Sequence, residues 1–208
     1  MSEISLSQHI ANAINGGAYR PGEWLKQVDL AATFKVTRFE ARKALEELTM
    51  RKVVTHIPER GYRVSEITEG DLRNAHEVRV ILECAATEQV VAKIDDAGIK
   101  TLQELAAEFW RVTDEGSPQE RNLVNHQFHD AMYAFAGNPL LSDLIREVRD
   151  RVRGAPVYLW PSMQSLRRSA TDHDDIIKAL ALRDAALAMA TVRRHILSKV
   201  THPSGTDN

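Results

Sequence analysis

One cysteine in 208 residues, Cys84, leaves no partner for an internal disulfide and fits a reducing cytoplasm. Aromatic residues make up only 6% of the chain and Val/Ile/Thr alternation is sparse, which argues against an all-β fold. Ten glycines and seven prolines are too few for a collagen-like or linker-dominated chain. No apolar run approaches the ~18–20 residues that span a bilayer, so no membrane partner is expected. The opening MSEISLSQHI also lacks the basic and apolar regions of a signal peptide. Neither sign of charge dominates: the net charge is −2, with no low-complexity tract and no internal repeat. What is present, 43% hydrophobic and 27% charged residues, is an ordinary globular balance. A cytoplasmic, mostly α-helical protein is expected.

The near-neutral total conceals a division. Residues 1–64 carry ten Lys/Arg against seven Asp/Glu, whereas the remainder carries 17 against 22. A basic head on an acidic body suits a nucleic-acid module joined to something else. Within the head, Leu6, Ile10 and Ile14 recur at helical spacing and stop at Asn15-Gly16-Gly17. Val28–Phe34 predicts a two-turn helix. Thr37 reads as an N-cap for a second helix reaching about Arg51, with Ala41, Ala44, Leu45 and Leu48 facing inward. Val53–Ile57 and Tyr62–Val64 read as strands of a hairpin around Pro58-Glu59-Arg60-Gly61. Helix, helix, turn, helix, hairpin is the order of a winged helix-turn-helix.

That arrangement reads DNA by placing the start of its last helix in the major groove. Arg38 and Arg42 lie on one helix face, and each guanidinium can fork onto a guanine edge or a phosphate. Thr37 and the helix N-terminus offer donors to a phosphate. Phe39, Glu40 and Lys43 complete the exposed part of the probe; Glu40 would repel a phosphate or accept from a cytosine amino group. In the wing, Gly61 permits close backbone approach, while Arg60 and Arg63 can enter the minor groove or touch phosphates. Three stretches, Ile14–Gly22, Val36–Leu48 and Pro58–Val64, together resemble the DNA-binding domain of the GntR family of bacterial transcription regulators. Phe39-Glu40 departs from the small or polar residues more common in that family.

Beyond residue 65 only helical patterns follow. Thr68-Glu69-Gly70-Asp71 opens a helix to about Ile94, Asp95-Asp96 caps the next, and Ser117-Pro118-Gln119-Glu120 is a capping box with proline at the first helical position. Asn138-Pro139 starts another, Gly154-Ala155-Pro156 breaks it, and a long segment to Arg183 precedes a last helix capped by Asp184. About six or seven helices make an antiparallel bundle. The expected domains are 1–65 for the head, 66–70 for a linker, 71–201 for the helical domain and 202–208 for a frayed tail.

The helical domain holds most of the histidines. Asn125 and His129 share a helix face four residues apart. His173 lies about ten residues before the Arg183-Asp184 break and His195 about eleven after it, so an antiparallel helix pair brings both rings to nearly equal height. Three imidazoles with the Asn125 oxygen suit zinc, nickel or a similar divalent cation, with positions left for water or a ligand. Helical geometry turns His126 and Asp130 away from the direction of His129.

Glu77–Glu83, Asn125–His129, Ala136–Leu141, His173–Leu180 and His195 make this region similar to the FadR C-terminal (FCD) domain, which follows GntR heads in one large branch. The resemblance implies a metal site of one Asp and three His, with a small carboxylate effector at or beside the metal. Here Asn125 stands in the Asp position, a neutral and weaker donor. Arg79 has two readings: a fork for the effector's carboxylate, supported by the resemblance, or an i,i+4 helical pair with Glu83. Tyr158 and Trp160 are read as lining the effector pocket or as ordinary packing, and Cys84 as a small buried hydrophobe.

The expectation is a transcription regulator, a repressor by family habit, binding a palindromic operator as a homodimer and answering to a small organic acid near a divalent metal. The competing expectation is a metal-dependent hydrolase on the three histidines; against it stand the missing HExxH motif and a DNA-reading head left without a role.

Overall fold

Small polar residues ahead of apolar runs decide where the helices begin. The computed structural model describes residues 5–152 and 162–198. It divides into two compact units, one built on residues up to Asp71 and the other on Leu72–Asp150 with the helices after Ser162.

The first unit contains α1 (Leu6–Asn15), β1 (Trp24–Leu25), α2 (Gln27–Phe34), α3 (Arg38–Met50), β2 (Val54–Ile57) and β3 (Gly61–Val64). Lys35, with φ of +54°, ends α2 in a left-handed residue, and Val36 N donates to Ala31 O across the turn. Thr37 then starts α3 with a reciprocal cap. Glu40 N donates to Thr37 Oγ1 at 3.2 Å, and the Glu40 carboxylate accepts from Thr37 N at 2.8 Å and Thr37 Oγ1 at 2.7 Å. Ile10, Ile14, Leu30, Leu45, Leu48, Val54 and Val64 bury their side chains in one core beneath α1–α3 and the sheet.

That sheet has three strands in the order β1-β3-β2, all antiparallel. β2 and β3 form the expected hairpin, with Val54 opposite Val64 and Ile57 opposite Gly61. Gly61, at φ of +102°, closes the turn in backbone space that favours glycine. β1 is an addition to the sequence reading: two residues leave no alternation to detect, and Trp24 pairs with Arg63 only through the fold.

After β3, Ser65 N donates to Val53 O, and Thr68 caps the next helix in a reciprocal pair with Asp71. Only Ser65–Thr68 separate β3 from α4. The helix opens at Glu69, inside the stretch 66–70 expected to be a linker, because Thr68 and Asp71 satisfy its first donors.

The second unit has, among the described residues, six helices: α4 (Glu69–Lys93), α5 (Asp96–Glu115), α6 (Pro118–Ala134), α7 (Pro139–Val152), α8 (Met163–Ala181) and α9 (Ala185–Leu197). Asp95, Ser117, Asn138, Ser162 and Asp184 accept from the first-turn amides of α5 to α9. α8 and α9 form a hairpin whose turn is closed by Arg183 at φ of +55°. Its guanidinium donates to Ile94 O, tying that turn to the α4–α5 junction. Phe128, Met132, Ile145, Ile176, Leu180 and Ile196 are among the fully buried side chains of a shared core.

Candidate nucleic-acid interface and metal centre

Two groups of side chains are arranged for chemistry, one in each unit. On α3, Ala41, Ala44, Leu45 and Leu48 anchor the helix, leaving Arg38, Phe39, Glu40, Arg42 and Lys43 exposed around its first two turns. Glu40 is committed to the cap, and the hydrogen bonds from Thr37 hold its carboxyl below the usual carboxylate range. In the free protein the carboxylate, though exposed, is turned back onto Thr37. Arg42 Nε lies 3.1 Å from Glu46 Oε1, an exposed pair that water already weakens.

In the wing, Arg60 is exposed at the hairpin turn and its guanidinium stacks over Trp24, 5.1 Å from the ring centroid. Arg63 stands mid-strand between Trp24 and Thr55, half-buried, with Nη1 3.9 Å from Glu66 Oε1. Trp24 escaped the sequence reading because its link to the wing passes through β1.

The second group is inside the bundle. His129 on α6, His173 on α8 and His195 on α9 are all buried, and one donor atom from each lies within 4.8 Å of the others. Their ring centroids are 5.0, 5.1 and 5.3 Å apart, close to an equilateral triangle. His129 Nε2 and His173 Nε2 approach to 3.2 Å. Two nitrogens bound to one ion at the ~2.0–2.1 Å of a zinc–imidazole bond lie roughly 3–3.4 Å apart, so the spacing suits a shared cation.

His195 turns its Nδ1 to the buried carboxylate of Asp172, 3.2 Å away. An ionised carboxylate only accepts, so Nδ1 carries the proton and Nε2 is the basic nitrogen. Phe128 stacks on His173 at 4.1 Å and Phe109 flanks it at 4.9 Å, giving the cluster an apolar wall. Asn125, one turn before His129, has its Oδ1 buried without a hydrogen-bond partner among the described residues. An orphaned buried oxygen on the histidine face of α6 fits a fourth donor. Three imidazole nitrogens, with an amide oxygen beside them, form a donor set that a divalent cation would fit.

Asp172 was not singled out from the sequence. It precedes His173 directly, but its partner lies on α9 and emerges only from the helix register.

Arg79 is nearly inaccessible, and its Nε donates to Glu83 Oε1 at 2.6 Å. This is the i,i+4 pair of the second sequence reading, but it is not a surface pair. Tyr133 OH donates to Glu83 Oε2 at 2.6 Å, and Arg149 Nη1 lies 3.5 Å from the same oxygen. Burial pushes the Glu83 carboxyl up, yet the two guanidinium groups and the hydroxyl overcome it and hold the group at about 2. Tyr133 also stacks on His129, so the ionic cluster adjoins the histidines. Tyr158 and Trp160 lie outside the described residues. Cys84 is half-buried, its thiol raised by burial and by Glu83.

Two family patterns match the chain: bacterial regulatory proteins of the gntR family over residues 5–64, and the FCD domain over residues 74–198. The Nta operon transcriptional regulator of Aminobacter aminovorans is 29% identical over 181 residues, covering 85% of this chain and 84% of its own. The transcriptional repressor GlaR of Escherichia coli K12 is 24% identical over 200 residues, covering 92% and 90%. Among solved structures, E. coli McbR/YncC superposes with a TM-score of 0.83 at 20% identity over 95% of both chains. A GntR regulator from Rhodococcus sp. RHA1 gives 0.78 at 23% identity over 94% and 93%. These two share the fold.

Proposed function

Because the chain belongs to the FCD-bearing branch of the GntR family of bacterial transcriptional regulators, we propose that it is a metal-dependent sensor of a small carboxylate that represses transcription as a homodimer on a palindromic operator. DNA-binding regulation itself follows from family membership. The observation that carries the metal-dependent sensing is the convergence of His129, His173 and His195 from three helices onto one buried point.

In this reading Asn125, His129, His173 and His195 hold the cation, and Asp172 fixes the tautomer of His195. A bound zinc or nickel ion would supply positive charge and open positions for an anionic oxygen. Three imidazoles and an amide are all neutral, which leaves that charge for an incoming carboxylate to balance. Arg79 enters as the buried partner of Glu83 and not as the first anchor of the effector. Arg38, Arg42 and Lys43, with Thr37, take the major groove and its phosphates; Arg60, Gly61 and Arg63 take the flanking backbone or minor groove. The effector acts by binding one spacing of the two heads better than another. The sign is extended from GlaR, a repressor by its description.

A hydrolase on the same histidines has no counterpart among the relatives named above, all described as regulators of transcription. The test is thermal denaturation of the full chain against a panel of small organic acids, after chelation and after reloading with zinc or nickel. One acid should raise the melting temperature only in the metal-loaded protein, and the same acid should change affinity for an operator duplex. Stabilisation by metal with no response to any acid would reduce the centre to a structural one.

A further inference from the structure

The first turn of α3 spends an exposed position on an apolar side chain. Phe39 is 72% exposed and takes no part in the core of its unit, which this helix serves through Ala41, Ala44, Leu45 and Leu48. An aromatic ring left in water is costly and a poor helix former. Nothing local repays it, because the helix is started by the Thr37–Glu40 cap without help from Phe39. Around it stand the exposed cations Arg38, Arg42 and Lys43, while the one acidic residue of the first turn is folded back onto Thr37. A ring held among cations at the leading end of a reading helix is placed to meet DNA, and the major groove presents one apolar feature, the C5 methyl of thymine.

We propose that Phe39 is a specificity-determining residue that reads one thymine in each half-site by packing its ring against the C5 methyl. The proposal rests on α3 being the base-reading helix. With no donor or acceptor, the ring distinguishes bases only by that methyl, so its contribution should vanish when the methyl is removed.

The experiment uses the full chain. Duplexes are selected from a random pool, and each thymine of the enriched site is then replaced singly by deoxyuridine, which deletes the methyl and keeps the pairing edge. Affinities of the native protein and of Phe39→Ala are compared at one ionic strength, since phosphate contacts vary steeply with salt. The native protein should lose roughly fourfold at one thymine per half-site, the value of one buried methyl group. Phe39→Ala, which removes the ring from both half-sites of the dimer, should lose roughly 16-fold on unmodified DNA, the square of that factor, and be indifferent to deoxyuridine there. Circular dichroism checks that α3 persists in the variant, as its cap and buried face are untouched.

Equal sensitivity of both proteins at every thymine, or sensitivity of neither, overturns the proposal. A Phe39→Ala loss independent of every methyl overturns it too, and marks the ring as a wedge between base steps. Failure to enrich any site overturns the reading of α3 itself, and is told apart by the absence of a selected sequence.

Discussion

Arg42 and Glu46 illustrate how little holds the reading side chains in the free protein. Their contact is exposed on both sides and easily exchanged for a guanine edge or a phosphate. Arg42→Ala should weaken operator binding by about 1–3 kcal/mol, measured by fluorescence anisotropy at matched salt. Glu40→Gln, by contrast, should leave base preference unchanged in a selection experiment, because that side chain serves the cap. In the bundle, Asp172→Asn should lower metal affinity about 10–100-fold while His195 stays in place, read by competition with a chelating dye. His173→Ala or His195→Ala should abolish metal retention, by elemental analysis, with the first unit still folded. The histidines were legible because helical periodicity and one break fix their heights. Asp172 was not, because a carboxylate beside a histidine in sequence gives no sign of facing a different histidine across a helix pair.

At the scale of elements, the Glu83 cluster pins α4 to α6 and α7 through Tyr133 and Arg149. Its carboxyl is held at about 2, below its unfolded value, so the folded state binds fewer protons than the unfolded one in between. The stabilisation is complete above about pH 4.5 and is lost as pH falls toward 2, on the order of 3 kcal/mol in all. Urea midpoints followed by helical ellipticity should fall over that window, and Glu83→Gln should flatten the part due to this group. Removing the charge at neutral pH should itself cost about 3–5 kcal/mol, since two largely buried guanidinium groups lose the carboxylate they share. Helix starts were readable because serine, threonine, aspartate and asparagine caps act locally. The spacing of Arg79 and Glu83 was readable too, but their burial was not: a pair of charges on α4 looks the same from sequence whether water or two other helices cover it. β1 is the extreme case, a strand of two residues defined wholly by its neighbour.

For the molecule as a whole, the sequence foretold a basic winged head and an acidic helical body, and the fold carries both. What it withheld was reach. The connection Ser65–Thr68 is four residues, and it is fastened at both ends, by Ser65 to β2's neighbour Val53 and by Thr68 to α4. Fully drawn out, such a leash spans only about 13–14 Å. With its first residue bonded to Val53 and its last capping α4, so short a stretch offers a protease no free segment to enter, and the native chain should resist nicking there.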